Sequence, residues 1–132
     1  MKRDMDFVRD ILLKIEAFEP TQECSINDLL QPESTHEDLE KLSEHLKMLI
    51  NEARYLDGKL MFEAGSMVNC ANVRLTWKGH EYLDNIRDPE IWQKTKEGAA
   101  KVGGFSVDII GALAKGLIKK QIEKHTGVEL EF

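Results

Sequence analysis

Apolar residues recur at three- and four-residue intervals from Val8 through Ile11, Leu12, Ile15 and Phe18, with Arg9, Asp10, Lys14 and Glu16 on the other side. That period lays one apolar stripe along a helix. Asp4 and Asp6 are its candidate caps, because a short carboxylate accepts from the free N–H groups of a first turn. Glu19-Pro20-Thr21 ends it, since proline lacks the N–H and disfavours helical geometry in the residue before it. A short helix over residues 26–30 follows, with Ser25 or Asn27 as cap and Pro32 closing it. The cleanest pattern begins at Thr35. Leu39, Leu42, Leu46, Leu49, Ile50 and Ala53 share one stripe and predict a helix over 35–53, capped by Thr35, with Glu37 and Asp38 in the first turn where the helix dipole favours negative charge.

The period then changes. Tyr55-Leu56, Asp57-Gly58 and residues 59–63 read as extended chain around turn residues, Ala64-Gly65-Ser66 reads as a turn, and in 67–76 Val73 and Leu75 share a face with Arg74 opposite. A small β-hairpin is expected. Thr76 is a candidate cap for a helix over 77–86 whose apolar bulk is supplied by Trp77, Tyr82, Leu83 and Ile86. Gly79 is a poor helix former whose value is to let that helix approach a neighbour closely. Asp88-Pro89 starts another helix, with aspartate at the cap and proline at the first position. Gly103-Gly104 breaks it, and Ser106 caps a last helix running to about residue 124, before a tail over 126–132.

The expected fold class is mainly α with a small β-hairpin. Helix, short helix, long helix, hairpin, helix is the order of a winged helix-turn-helix. Residues 1–87 are read as that winged-helix-like domain and 88–132 as a C-terminal helical extension. The opening Met1-Lys2-Arg3-Asp4-Met5-Asp6 with Arg9-Asp10-Ile11-Leu12, the run Arg74-Leu75-Thr76-Trp77-Lys78-Gly79-His80-Glu81-Tyr82-Leu83-Asp84, and the stretches Trp92…Lys94-Thr95-Lys96 and Val102-Gly103-Gly104 resemble a family of uncharacterised bacterial and prophage proteins, domain of unknown function 2513. The resemblance implies a winged-helix-like fold and a small bacterial or phage protein. It carries no activity and no site residues with it.

Chemistry-bearing motifs are absent from the sequence. His36, His45, His80 and His125 are scattered, and Cys24 and Cys70 fit no metal-ligand spacing. No nucleophile elbow or phosphate loop occurs, so neither an enzyme nor a cofactor is expected. The start of the chain leads straight into an amphipathic helix rather than an apolar leader, and two cysteines do not make a disulfide framework. A cytoplasmic protein with reduced thiols is expected. Val102 to Ile118 is the most apolar stretch, but Asp108 and Lys115 interrupt it and it falls short of the roughly 20 residues of a membrane span.

Charge bears on function more than motifs do. The 132 residues carry 24 acids and 18 bases, a net −6. Residues 16–63 alone hold twelve acids and four bases. Projecting the 35–53 helix at about 100° per residue puts Glu37, Glu40, Lys41, Glu44, Met48, Asn51 and Glu52 on its outer face. A carboxylate about 5 Å from a phosphate costs on the order of 1 kcal/mol even in a water-like dielectric, so DNA docking through this helix is disfavoured. The favoured reading is a regulatory or interaction module working through protein contacts, with Glu37, Glu40 and Glu44 as candidate contacts. The alternative is a DNA-binding regulator whose phosphate contacts are Lys41, Lys47, Arg54, Lys59, Arg74 and Lys78. The last helix is apolar over most of its circumference, through Val107, Ile109, Ile110, Leu113, Ala114, Leu117 and Ile118. Three readings of it stay open. It packs on its own domain; it makes a homo-oligomer contact over 103–124, where Ile109, Ile110, Leu113 and Leu117 would meet a second copy and Gly111 and Gly116 permit close approach; or it lies on a membrane surface with Lys119, Lys120 and Lys124 toward the headgroups.

Overall fold

Every helix start that the sequence marks with a short polar residue is a helix start in the computed structural model, which describes residues 1–19, 24–102, 104 and 106–127. The order is α1 (Met5–Glu16), α2 (Ile26–Leu29), α3 (His36–Lys47) with a wider π turn over Met48–Glu52, strands β1 (Leu56–Glu63) and β2 (Ser66–Leu75), then α4 (Trp77–Ile86), α5 (Pro89–Lys101) and α6 (Val107–Thr126). The protein is therefore mainly helical with one two-stranded antiparallel hairpin. Two compact units divide within α4, Met1–Glu81 and Tyr82–Phe132.

Caps are local chemistry, which is why they are legible. Asp4 accepts from the Phe7 N–H at 3.0 Å. At α2 the Ser25 N–H and hydroxyl both donate to Asp28 Oδ2, at 2.8 and 2.9 Å. Thr35 and Asp38 form a reciprocal capping box: Thr35 Oγ1 accepts from the Asp38 N–H and the Thr35 N–H donates to Asp38 Oδ2. Asp88 accepts from the N–H groups of Glu90 and Ile91 beside Pro89, and Ser106 accepts from Ile109. α6 ends in Gly127 at φ 71°, a left-handed cap that glycine adopts without a Cβ penalty. The expected break at Gly103 and the tail beyond 127 lie outside the described residues.

In the first unit Leu12, Leu42, Leu46 and Leu56 are fully or nearly fully buried, and α1, α2 and α3 all pack on β2. The apolar face of α3 is held in place by a polar knot at the start of the chain. His45 is wholly buried, its Nε2 accepts from the Asp4 N–H at 3.0 Å, and its Nδ1 lies 2.7 Å from the Lys41 carbonyl oxygen. A carbonyl only accepts, so Nδ1 carries the proton, Nε2 is bare and the imidazole is neutral. Its ring meets the edge of Phe7 at 5.0 Å and 78°, and Lys41 Nζ sits 4.6 Å over Phe7 while donating to Asp4 Oδ2 at 2.7 Å. The 35–53 helix is regular only as far as Lys47. The Ala53 N–H reaches back five residues to the Met48 carbonyl, so the turn after Met48 holds one extra residue; Met48, expected on the outer face, is half-buried, while Asn51 and Glu52 are exposed.

The hairpin turn is Ala64-Gly65, both at positive φ (50° and 82°), which matches the right-handed twist of the flanking strands. Asp57-Gly58 is not a turn. It lies inside β1 at a register shift, where a Cβ on Gly58 would meet Val73 Cα at 2.9 Å. Arg54, at φ 59°, ends the preceding helix and delivers Tyr55, whose carbonyl accepts from the Thr76 N–H at 3.0 Å. Thr76 Oγ1 donates to the Arg54 carbonyl at 2.7 Å and accepts from the Gly79 N–H at 3.0 Å. A Cβ on Gly79 would collide with the Tyr55 carbonyl oxygen, so the close approach expected of this glycine is made to a backbone carbonyl. In the second unit α5 packs along α6, Ile91, Trp92, Ile110 and Ala114 are buried, and Thr95 returns its hydroxyl to the Ile91 carbonyl at 2.7 Å.

Two predictions follow from this packing. Gly79→Ala destabilises the fold by on the order of 1–3 kcal/mol, because backbone rather than a flexible side chain must move. Gly111→Ala, in a helix with nothing within 4 Å of the added methyl, instead stabilises by about 0.5–1 kcal/mol. Urea unfolding followed by circular dichroism reads both, and a Gly79→Ala midpoint equal to wild type would remove the carbonyl contact. At the knot, His45→Leu leaves the Asp4 N–H without its acceptor and costs about 1–3 kcal/mol. The Lys41 ammonium and then the Phe7 N–H hold the Asp4 carboxyl below its ordinary value of 3.8. A depressed acid stabilises the fold above its unfolded pKa and loses that contribution as pH falls through the folded one. Asp4→Asn, which keeps a cap acceptor, therefore costs about 0.2–1 kcal/mol at pH 7, as expected for a half-exposed pair. The difference from wild type closes below pH 3.8, measured by melts across pH 2 to 7.

Candidate protein-interaction site

The rotation of α3 that buries Leu42, His45 and Leu46 leaves Glu37, Asp38, Glu40 and Glu44 exposed. The two lysines of the same helix do not offset them. Lys41 is half-buried and paired with Asp4, and Lys47 donates to Glu44 Oε1 at 3.1 Å while its Nζ lies 5.0 Å from the Phe62 ring. Glu40 Oε1 is 3.0 Å from His36 Nε2, one helical turn back. Along this face α3 and the hairpin turn enclose a groove of about 290 Å³. Leu39 and the buried Met67 form its apolar wall, Glu40, Glu44 and Lys47 its charged rim, and Gly65-Ser66 its far lip. Ser43 also lines it, only 7% exposed, and its hydroxyl makes no hydrogen bond among the described residues.

The other candidate cations fall elsewhere in the first unit. Arg74 and Asp57 pair across the strands at 3.5 Å, and Lys78 lies 5.4 Å from the Tyr55 ring. Arg54 and Lys59 are exposed and form no ion pair among the described residues. The six basic residues named from the sequence thus do not converge: four are engaged with partners of their own.

Trp77 corrects the sequence expectation. It is 81% exposed and supplies no core bulk to α4, because it occupies the first helical position beside its cap, and its Nε1–H donates to Glu81 Oε1 at 2.9 Å. Tyr82, Leu83 and Ile86 are buried as expected. Cys24 and Cys70 are buried free thiols, with Cys70 Sγ donating to the Cys24 carbonyl at 3.6 Å. The hydrogen bond between the thiols and then burial push the Cys24 thiol well up, so at neutral pH it is protonated and a poor nucleophile.

On α6, Ile110 and Ala114 are fully buried and Ile109, Leu113, Leu117 and Ile118 half-buried, with Leu113 reaching Gly98 of α5. The side chain of Val107 is outside the described residues. Gly111 and Gly116 border open space. No helix among the described residues is long and apolar enough to cross a membrane.

The sequence singled out Glu37, Glu40 and Glu44 but not Ser43, Met67 or the Gly65-Ser66 lip. His36, Glu40, Ser43, Glu44 and Lys47 are spaced at three, four and seven residues, so their common face was readable. The arrival of the hairpin turn on that face was not.

No solved structure matches the chain. An uncharacterised protein of Haemophilus influenzae is 32% identical over 123 residues, covering 92% of this chain and 99% of that protein. Residues 2–106 match the family described as hypothetical protein DUF2513. That span takes in α1 through α5, including the His45 knot, the hairpin and the Thr76–Gly79 junction, and the chain belongs to this family.

Proposed function

We propose that the chain is a non-enzymatic regulatory module of winged-helix type, acting in the bacterial cytoplasm through protein contacts made by the acidic outer face of α3. The carrying observation is the neutralisation of that helix's own lysines. Lys41 is committed to Asp4 and Lys47 to Glu44, while Glu37, Asp38 and Glu40 stay exposed. In a winged helix α3 is the element that would enter a DNA groove. Affinity for duplex comes largely from phosphate neutralisation, and this face supplies the opposite sign. A basic protein surface meets it instead with complementary charge. The half-buried apolar residues Ile109, Leu113 and Leu117 of α6 are a second candidate contact, toward a partner or a second copy.

One observation favours a second reading, DNA contact through the hairpin: Arg54 and Lys59 are exposed cations without an ion pair among the described residues. Salt separates the two. Fluorescence anisotropy with a 20-base-pair duplex is expected to show no binding at 0.15 M salt, whereas wing-led binding would appear at 0.05 M and weaken steeply as salt rises. For the favoured reading, the combined variant Glu37→Lys, Glu40→Lys, Glu44→Lys loses at least tenfold in affinity for a partner recovered from the native host by nuclease-treated affinity capture. Retained affinity for that partner would remove the α3 face from the reading.

A further inference from the structure

The groove between α3 and the hairpin turn is more selective than an acidic surface alone. We infer that it takes the side chain of an arginine presented by a partner protein, an inference that rests on the protein-contact reading and names its ligand chemistry. Three features of the groove converge on a guanidinium. Glu40 and Glu44 stand one turn apart, and each has only one oxygen engaged, by His36 and Lys47 respectively. The remaining carboxylate oxygens are acceptors, and a guanidinium offers five donors in a planar fork and no acceptor. Ser43, between them on the same face, is more than nine-tenths buried with an unbonded hydroxyl. Its hydroxyl is reachable from the groove it lines rather than sealed off, and offers a further acceptor there. Leu39 and Met67 give the apolar wall along which a trimethylene stem would lie.

Lys47 is the resident competitor. Its ammonium already occupies Glu44, and the Phe62 ring 5.0 Å away gives it a second seat to which it can retreat. The planar fork distinguishes the incoming group from lysine: a compact ammonium cannot span two carboxylates and reach the Ser43 hydroxyl together. An anionic or neutral ligand would face two carboxylates with a single compensating lysine.

The test uses the full chain, 15N-labelled, titrated with Nα-acetyl-arginine amide and followed by two-dimensional amide NMR. Saturable shifts confined to residues 36–47 and 64–67 are expected, with a dissociation constant of the order of 1 mM for so small a probe. Nα-acetyl-lysine amide should bind at least threefold more weakly, and the uncharged citrulline analogue should not bind. Glu40→Gln with Glu44→Gln should weaken the arginine probe at least tenfold and Ser43→Ala about threefold, whereas Lys47→Met should tighten it. Ser43→Ala removes one oxygen from a small buried residue, so its spectrum also checks that folding is unchanged. Equal binding of the citrulline analogue, shifts centred elsewhere, or no shift at 20 mM probe overturns the inference. Partner binding that depends on Glu37, Glu40 and Glu44 while the probe fails leaves the protein-contact reading standing without the arginine site. Probe binding in the groove with partner capture unaffected by charge reversal does the opposite.

Discussion

A single buried imidazole sets the orientation on which the first unit depends. His45 accepts from the backbone at Asp4 and donates to the backbone at Lys41, so both ring nitrogens are used and only one tautomer fits. Such a group has no tolerance for a helix rotated by one residue. A 100° turn of α3 would leave a buried donor or acceptor unmet at a cost of about 1–3 kcal/mol, whereas the leucines around it would lose only contact area. The hydrophobic stripe places α3 against the core, and His45 fixes which residues of that stripe face inward. It also explains why the opening segment of the chain is part of the fold: Asp4 caps α1, pairs with Lys41 and supplies the N–H that His45 accepts.

A second backbone junction propagates that order into the hairpin and α4. The Tyr55 carbonyl sits between the Thr76 N–H and the bare Cα of Gly79, and Thr76 holds both the Arg54 carbonyl and the first turn of α4. A backbone carbonyl pressed against a helix admits no side chain there, which makes glycine a packing requirement despite its poor helix propensity. The left-handed Arg54 is accommodated because its carbonyl is tied down by Thr76. The run from Arg74 to Tyr82 is thus a compact set of instructions: a strand end, a cap used twice, an exposed indole, a glycine contact and a buried ring.

Much of this was legible because it is local. Thr35, Asp88 with Pro89, and Ser106 satisfy N–H groups two or three residues ahead, and that chemistry does not depend on the rest of the fold. The β-hairpin and its Ala64-Gly65 turn were legible for the same reason. Failures occurred where a residue's surroundings are set by distant chain. Trp77 looks like core by its apolarity, yet a first-turn position beside a cap need not face inward, and its indole N–H is satisfied at the surface by Glu81. Asp57-Gly58 has turn composition, but its glycine is demanded by Val73 across the sheet. The widened turn at 48–52 leaves no mark in residue type. For the candidate site, the face bearing Glu37, Glu40 and Glu44 follows from helical period, while the groove beside it needs Gly65, Ser66 and Met67 from the hairpin.

The net charge of −6 acquires meaning through what the cations are doing. An acid surplus spread over a surface is a matter of solubility and says little about recognition. Here the lysines nearest the acidic helix face are spent internally: Lys41 on the knot that orients α3, Lys47 on Glu44 and the Phe62 ring. The contact with Asp4 that helps hold α3 in register therefore takes Lys41 from its outer side, while Lys47 stays at the groove rim and is balanced by Glu44. The ammonium of Lys41 cannot serve both the fold and a phosphate, because leaving Asp4 would strip the α1 cap of its ion pair. With Lys41 held by Asp4 and Lys47 by Glu44 one turn back, what α3 leaves unbalanced on its exposed side is the row Glu37, Asp38 and Glu40, the last shared only with His36.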